Sequence, residues 1–356
     1  MSDSTEQKLD WPTLKASHIY REEIRIEKRD PNQLLQGFWD DRMISSHKPD
    51  EKSETDPRDG SKILYAANRA KRPHDKSPGK PSRGEREKSR SQECPICNGK
   101  STELLELVPL TEGFTFINRN LFPVLFPFSA ETSPRGGHFI QWSSNIHHLD
   151  WHNMPLEDRY VLTCRLAALE KRLLDLDQGD VLIIKNRGRA VGGSLEHGHQ
   201  QIGLSSVEPL SRILDDRFID RYGSSFGAWM AQHNPQELTV KAYKTGILAV
   251  PYFMKRPYNL LYIPFRQKSS HLHQLEERER YDLSEAIGDA LKAFHTIMPR
   301  LGKEISYNVL WHTGSREGQY VEFLPHTQET GGFEQLGLWI CQADPKESTE
   351  DLKRSI

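Results

Sequence analysis

The run Asn186-Arg187-Gly188-Arg189-Ala190-Val191-Gly192-Gly193-Ser194-Leu195-Glu196-His197-Gly198-His199-Gln200-Gln201 gathers groups able to handle a phosphate. Side chains in an extended strand alternate between faces, so His197, His199 and Gln201 project to one side. The preceding turn carries Gly188, Gly192 and Gly193, which let backbone N–H groups approach an anion, while Asn186 and Ser194 add side-chain donors. Such a place suits the α-phosphate of a nucleotide. An exposed polar strand end is the competing reading, because glycines and histidines also decorate ordinary loops.

A second chemical feature is Cys94-Pro95-Ile96-Cys97-Asn98-Gly99, a knuckle in which two thiolates can chelate one ion while the glycine turns the chain. Two thiolates are half of a tetrahedral zinc site. The candidates for the other half are the histidines of Asn145-Ile146-His147-His148 and the strand histidine His197. Redox chemistry is the alternative for a C-x2-C pair, but no helix pattern starts at Cys97 to depress a thiol pKa. Cys164 and Cys341 stand among Leu and Ile and read as inert core residues.

The elements that must position these groups follow from periodicity. Leu104 to Leu107, Phe114 to Asn118, His138 to Trp142, Asp180 to Lys185 and His197 to Leu204 read as strands. Residues 155 to 177 place Leu156, Tyr160, Leu162, Leu166, Leu169, Leu173 and Leu174 at helical spacing behind Pro155. The second half repeats this order: strands over 245–251 and 259–264, an amphipathic helix over 275–298 with Leu275, Leu283, Ile287, Leu291 and Phe294, then strands over 306–311 and 320–324. The repeat is one of element order, and it suggests an internal duplication.

Composition sets the remaining bounds. With 356 residues there is room for two domains or for one fold of two similar halves. Lys and Arg total 48 against 50 Asp and Glu, so no global field selects nucleic acid or an anionic membrane. The mean hydropathy of -0.70 is low for an enzyme and points to solvated chain outside the core. Residues 45–92 fit that description: stretches of 45–60 and 74–92 are expected to be flexible and open to proteases, around a short strand at Ile63 to Ala67 and the basic turn Asn68-Arg69-Ala70-Lys71-Arg72-Pro73. The apolar runs Val181 to Ile184 and Leu260 to Ile263 are far shorter than the roughly 20 residues that span a bilayer. Met1 to Asp10 lacks an apolar signal region, so the expectation is a soluble protein of the cytoplasm.

Cys94-Pro-Ile-Cys97, Gly137-His138 followed by His147, and the His197-x-His199-x-Gln201 strand with its Gly-Gly-Ser approach together resemble the galactose-1-phosphate uridylyltransferase branch of the histidine-triad superfamily. Looser likeness extends to Arg69-Ala-Lys-Arg72-Pro73, Trp311-His312 and Glu322-Phe-Leu-Pro325, covering about residues 62 to 345. The resemblance implies an α+β fold of two histidine-triad-like halves, each an antiparallel sheet with a long packed helix. It divides the chain into an N-terminal segment (1–44), a basic insert (45–92), a first half (93–205) and a second half (206–356). It also implies one structural zinc on Cys94, Cys97, His147 and His197, with His148 as the alternative to His147. His199 becomes the nucleophile that takes a nucleoside monophosphate from a nucleotide sugar. Asn186, Ser194, Gln201, Gly192 and Gly193 hold the phosphate oxygens, and Arg69 and Arg72 add positive charge.

Gln201 stands where hydrolytic relatives carry a third histidine, and a neutral amide cannot readily protonate a poor leaving group, so transfer is expected over hydrolysis. Members of the family commonly pair and complete the site across the interface, so a homodimer would give Arg69 and Arg72 a role in trans. The second half departs from the pattern: Gly318-Gln319-Tyr320-Val321-Glu322 replaces a His-x-His of a second metal site, which is expected to be missing, with His312 left as a structural residue. Phe333-Glu334 near the C-terminus looks closer to adenylyltransferase and phosphorylase relatives. Three readings stand: exchange between a nucleotide sugar and a sugar 1-phosphate, phosphorolysis by inorganic phosphate, and a non-catalytic zinc-stabilised protein that binds a polyanion.

Overall fold

Period-2 and helical patterns become a sheet and its covering layer in the computed structural model, which describes residues 29–55, 62–64, 66, 68, 94–99, 102, 104–107, 115–129, 134–176 and 179–356. Helices α1 (Pro31–Asp40) and α2 (Arg42–Ser46) precede the paired strands β1 (Ser53–Thr55) and β2 (Lys62–Leu64). The first half contains β3 (Leu104–Leu107), β4 (Phe116–Arg119), β5 (Gly136–Trp142), α3 (Leu156–Leu174), β6 (Asp180–Arg187) and β7 (His199–Ser205). After α4 (Leu210–Tyr222) and α5 (Phe226–His233) come β8 (Thr239–Ala242), β9 (Gly246–Ala249), β10 (Leu260–Pro264), α6 (Glu277–Arg300), β11 (Tyr307–His312) and β12 (Tyr320–Pro325). Helices α7 (Gly332–Gln335) and α8 (Pro345–Lys353) close the chain.

Strands β3 to β12 form one antiparallel sheet in the order β3-β4-β5-β7-β6-β11-β12-β10-β9-β8, apart from the two-stranded β1–β2 pair. Each half repeats the same internal order, with its long helix between the third and fourth strands, so the duplication is visible in topology. The two halves join in one continuous sheet: β6 pairs with β11, Lys185 opposite Val309 and Asn186 opposite Asn308, which removes two open edges.

Leu162, Leu166, Leu169 and Leu173 of α3 and Leu283, Ile287, Leu291 and Phe294 of α6 are buried against one face of the sheet. Thr163 Oγ1 and Ser284 Oγ, 2.7 Å apart, tie the two helices together. The opposite face of β10 is also covered, since Leu261 and Ile263 pack on Met230 of α5 while Leu260 and Tyr262 join the main core. In the first half that opposite face is the one that carries His199.

Helices α1 and α2 were not foreseen, and the stretch expected to be flexible from residue 45 starts inside α2 and includes β1. The stretch 74–92 lies outside the described residues. Leu34, Leu35 and Phe38 dock α1 in the core, with Phe38 edge-on to Phe139 at 5.3 Å. Arg119, 2% exposed, donates from Nε to the Leu34 carbonyl at 2.8 Å and from its guanidinium to the Gln33 carbonyl at 3.2 Å. Glycine at 37 makes room, because a Cβ there would stand 2.1 Å from Arg119 Cζ. Arg119→Met is therefore expected to lower stability by about 2–3 kcal/mol, read by urea unfolding, and to expose α1 to proteolysis before the sheet unfolds. Among the described residues, no helix is long and apolar enough to cross a membrane.

Candidate active site and metal centre

The knuckle, the loop before α3 and the approach to β7 meet at one point. Cys94, Cys97, His147 and His197 place their ligand atoms within 4.8 Å of one another and could hold a metal ion. Cys97 Sγ lies 3.4 Å from His147 Nδ1 and 3.6 Å from His197 Nδ1, and Cys94 Sγ lies 3.7 Å from His197 Nδ1. A tetrahedron with Zn–S near 2.3 Å and Zn–N near 2.0 Å has S···N edges of about 3.5 Å, so the donor set fits such an ion without rearrangement. His197 Nε2 is bonded to the Ser144 carbonyl at 2.7 Å, which fixes the ring and leaves Nδ1 for the ion. His148, the alternative ligand, is exposed and outside the cluster. The interaction between the two sulfurs lowers the Cys94 thiol and, with burial, raises Cys97.

Two residues further on, His199 opens β7 with its ring against Trp142, centroids 4.9 Å apart. Its Nδ1 is bonded to the His197 carbonyl at 2.8 Å, so the proton sits on Nδ1 and Nε2 keeps its lone pair. Burial, opposed by that carbonyl and aided by the Lys185 charge, brings His199 down to about 4, so the ring is neutral at pH 7. His199 lines a cavity of about 540 Å³ together with Ser194, Leu195 and Gln201, and with Pro95, Ile96, Phe122, Ile140 and Trp142 as apolar wall.

Gln201 is oriented by a neighbour that sequence reasoning gave no role in the site. Val124 N donates to His138 Nδ1 at 3.2 Å, so His138 Nε2 carries the proton and donates to Gln201 Oε1 at 3.0 Å. The amide NH2 of Gln201 is then the end left to meet phosphate oxygens. At the turn before the strand, Gly192 has φ +85°, and a Cβ on Gly193 would lie 2.7 Å from the Gly188 carbonyl oxygen. Asn186 accepts from Asn308 Nδ2 at 2.7 Å, an anchor supplied by the second half. Ser194, His199 and Gln201 share the cavity, whereas Asn186, Gly192 and Gly193 are not among its lining residues. Arg69 and Arg72 lie outside the described residues.

Sequence reasoning also missed Asp41, Met43 and His47, which bring the end of α1 and α2 to the cavity wall. Their signal was present: Asp30 before Pro31 is a helix start, and Leu34, Leu35 and Phe38 share a helical face.

At the matching place in the second half, His312 Nε2 lies 3.3 Å from Glu322 Oε2, Nδ1 lies 3.7 Å from Asp215 Oδ2, and the ring stacks on Tyr320 at 4.2 Å. Burial disfavours its charge, but the two carboxylates outweigh burial and lift His312 to about 9. The imidazolium donates from Nε2 to Glu322 and faces the Asp215 carboxylate from Nδ1, and with both nitrogens protonated it has no lone pair for a cation. Because the folded value is raised, its contribution to stability is full below the unfolded value of about 6.5, erodes as pH rises, and is gone above about 9. Wild type is expected to lose about 2–3 kcal/mol between pH 6.5 and 9.5 relative to His312→Gln, measured by denaturant unfolding across that range.

The duplicated antiparallel sheet thus sets a His-x-His strand beside a Cys2His2 cluster. No protein-family model matches the sequence. Among curated proteins, the chain is 23% identical over 330 residues to ADP-glucose phosphorylase from Arabidopsis thaliana, covering 82% of this chain and 89% of that one. Over 140 residues it is 26% identical to galactose-1-phosphate uridylyltransferase from Cryptococcus neoformans, 36% of this chain and 37% of the other. A solved uridylyltransferase superposes with a TM-score of 0.65 at 20% identity, covering 85% of this chain and 97% of that one. The chain thus shares the fold of the solved uridylyltransferase and resembles these nucleotide-sugar enzymes in sequence.

Proposed function

We propose that the chain is a nucleotidyltransferase acting by double displacement on a nucleotide sugar, with His199 as nucleophile. The observation that carries this reading is the fixed, neutral imidazole at the wall of the cavity, held through Nδ1 by the His197 carbonyl. In the first displacement His199 Nε2 attacks the α-phosphorus, the P–O bond to the sugar 1-phosphate breaks, and that phosphate leaves. A P–N bond then carries the nucleoside monophosphate, and the ring's positive charge faces the His197 carbonyl. In the second, an oxygen of an acceptor phosphate attacks the same phosphorus, the P–N bond breaks, and His199 returns to its neutral form. Both leaving groups are stable without a strong acid, which suits the amide of Gln201; Asn186, Ser194 and the Gly192-Gly193 turn contribute donors to the phosphoryl oxygens.

The acceptor in this reading is a sugar 1-phosphate, with Arg69 and Arg72 adding charge, from a second copy if the chain pairs. Cys94, Cys97, His147 and His197, two sulfur and two imidazole donors, would hold zinc, and the bound ion would brace the strand that aims His199. The protein acts in the cytoplasm. The long match to an ADP-glucose phosphorylase favours inorganic phosphate as the second acceptor reading. The test is to load the protein with UDP-glucose or ADP-glucose, remove free nucleotide, and challenge it with galactose 1-phosphate, glucose 1-phosphate or inorganic phosphate. Release of a nucleotide sugar by a sugar 1-phosphate is expected; discharge by inorganic phosphate alone, giving a nucleoside diphosphate, would replace the first reading with the second.

A further inference from the structure

Lys185 occupies a core-facing position of β6, in line with Val181 and Ile183, yet it is charged and 1% exposed. Burying an ammonium costs several kcal/mol unless it is paired and hydrogen-bonded. Its Nζ lies 2.9 Å from Asp150 Oδ1 and 2.8 Å from Oδ2, and it donates to the backbone carbonyl of His199 at 3.1 Å. Asp150, 2% exposed, also accepts from Ser143 Oγ at 2.8 Å and from Trp151 N at 2.9 Å.

The carboxylate is packed on the peptide between the two site histidines, since a Cβ on Gly198 would stand 2.5 Å from Asp150 Cγ. Ser143 N holds the Gly198 carbonyl at 2.8 Å. The stretch from His197 to His199 is therefore held at the Gly198 carbonyl by Ser143, at the Gly198 Cα by Asp150 and at the His199 carbonyl by Lys185. That same stretch supplies the His197 carbonyl to His199 Nδ1.

We propose that Lys185 and Asp150 are positioning residues for nucleotidyl transfer: their ion pair sets the 197–199 backbone so that the His197 carbonyl keeps the Nδ1 proton and Nε2 stays aimed into the cavity. The proposal rests on His199 as the nucleophile. A pair with only a structural role would be replaceable by uncharged residues without kinetic cost, because buried pairs often add little stability over neutral substitutes.

The test measures the single-turnover rate of adduct formation, and separately nucleotide affinity and metal content, in Lys185→Met, Lys185→Met/Asp150→Asn and Gly198→Ala. The double variant removes both charges and covers the case in which Lys185→Met, left with an unpaired carboxylate, fails to fold. Gly198→Ala pushes on Asp150 from the other side with no change of charge. The rate is expected to fall on the order of 10²-fold, as for a small misplacement of a reacting group, with affinity within about threefold of wild type. Rates within threefold of wild type in the double variant and in Gly198→Ala would overturn the proposal. Wild type that forms no adduct with any nucleotide would instead refute the nucleophile reading. Positioning is then read from the His199 ring by nitrogen-15 NMR: a single Nδ1–H tautomer in wild type and a mixture in the variants is expected, and a single tautomer in all would overturn it.

Discussion

Replacing His199 with glycine is expected to abolish nucleotidyl transfer, by roughly four orders of magnitude or more, while metal content and thermal unfolding stay close to wild type. The ring is the group placed to form a bond to phosphorus, and neither Ser194 nor Gln201 can replace a neutral nitrogen nucleophile at pH 7. Stability is spared because the ring stands on the cavity face of β7, while Ile202 and Leu204 of that strand join the core. Added imidazole, occupying the vacated space, is expected to restore part of the reaction with the nucleotide delivered in solution. Turnover of a nucleotide sugar by His199→Gly at the wild-type rate would end the assignment.

The second large effect is expected at the metal centre. Cys94 is 2% exposed and Ile96 beside it is 6% exposed, so the knuckle is part of the packed structure. Ion binding to a site that does not exist in the unfolded chain is folding free energy. Cys94→Ser is expected to release the ion and cost about 5 kcal/mol, lowering the melting temperature by roughly 10 °C. A chelator should move wild type in the same direction, and His197→Ala should lose metal and stability together, unlike His199→Gly. Elemental analysis is expected to give one zinc per chain. Protein purified without chelator and free of zinc would contradict the assignment, and a stoichiometry near two would contradict the reading of His312 as an ion-paired imidazolium.

What the sequence made legible was local. Cys94 and Cys97 have two residues between them, a spacing that lets both sulfurs reach one ion, and His197, His199 and Gln201 share a strand period, so their joint chemistry could be read from spacing. The helix faces of Leu162 to Leu173 and Leu283 to Phe294 were legible for the same reason. Long-range pairing was not: the β6–β11 seam joins positions 122 apart at Asn186 and Asn308. Lys185 looked like the polar end of a buried strand, because its partner Asp150 is 35 residues away and no periodicity links them. His312 was read as structural, but Asp215, which helps to charge it, sits on α4 in a stretch where no element was assigned. Helices α1 and α2 were hidden by the charges at Asp40, Asp41 and Arg42, although Asp41 is the cap of α2 and accepts from Met43 N at 2.8 Å.

The most direct measurement is intact-protein mass spectrometry of the wild-type chain mixed with UDP-glucose or ADP-glucose, followed by peptide mapping of any adduct. The account predicts a gain of one nucleoside monophosphate, acid-labile and localised to His199, that disappears when a phosphate acceptor is added. No adduct with any nucleotide sugar while turnover proceeds, or an adduct mapped to a residue other than His199, would contradict it.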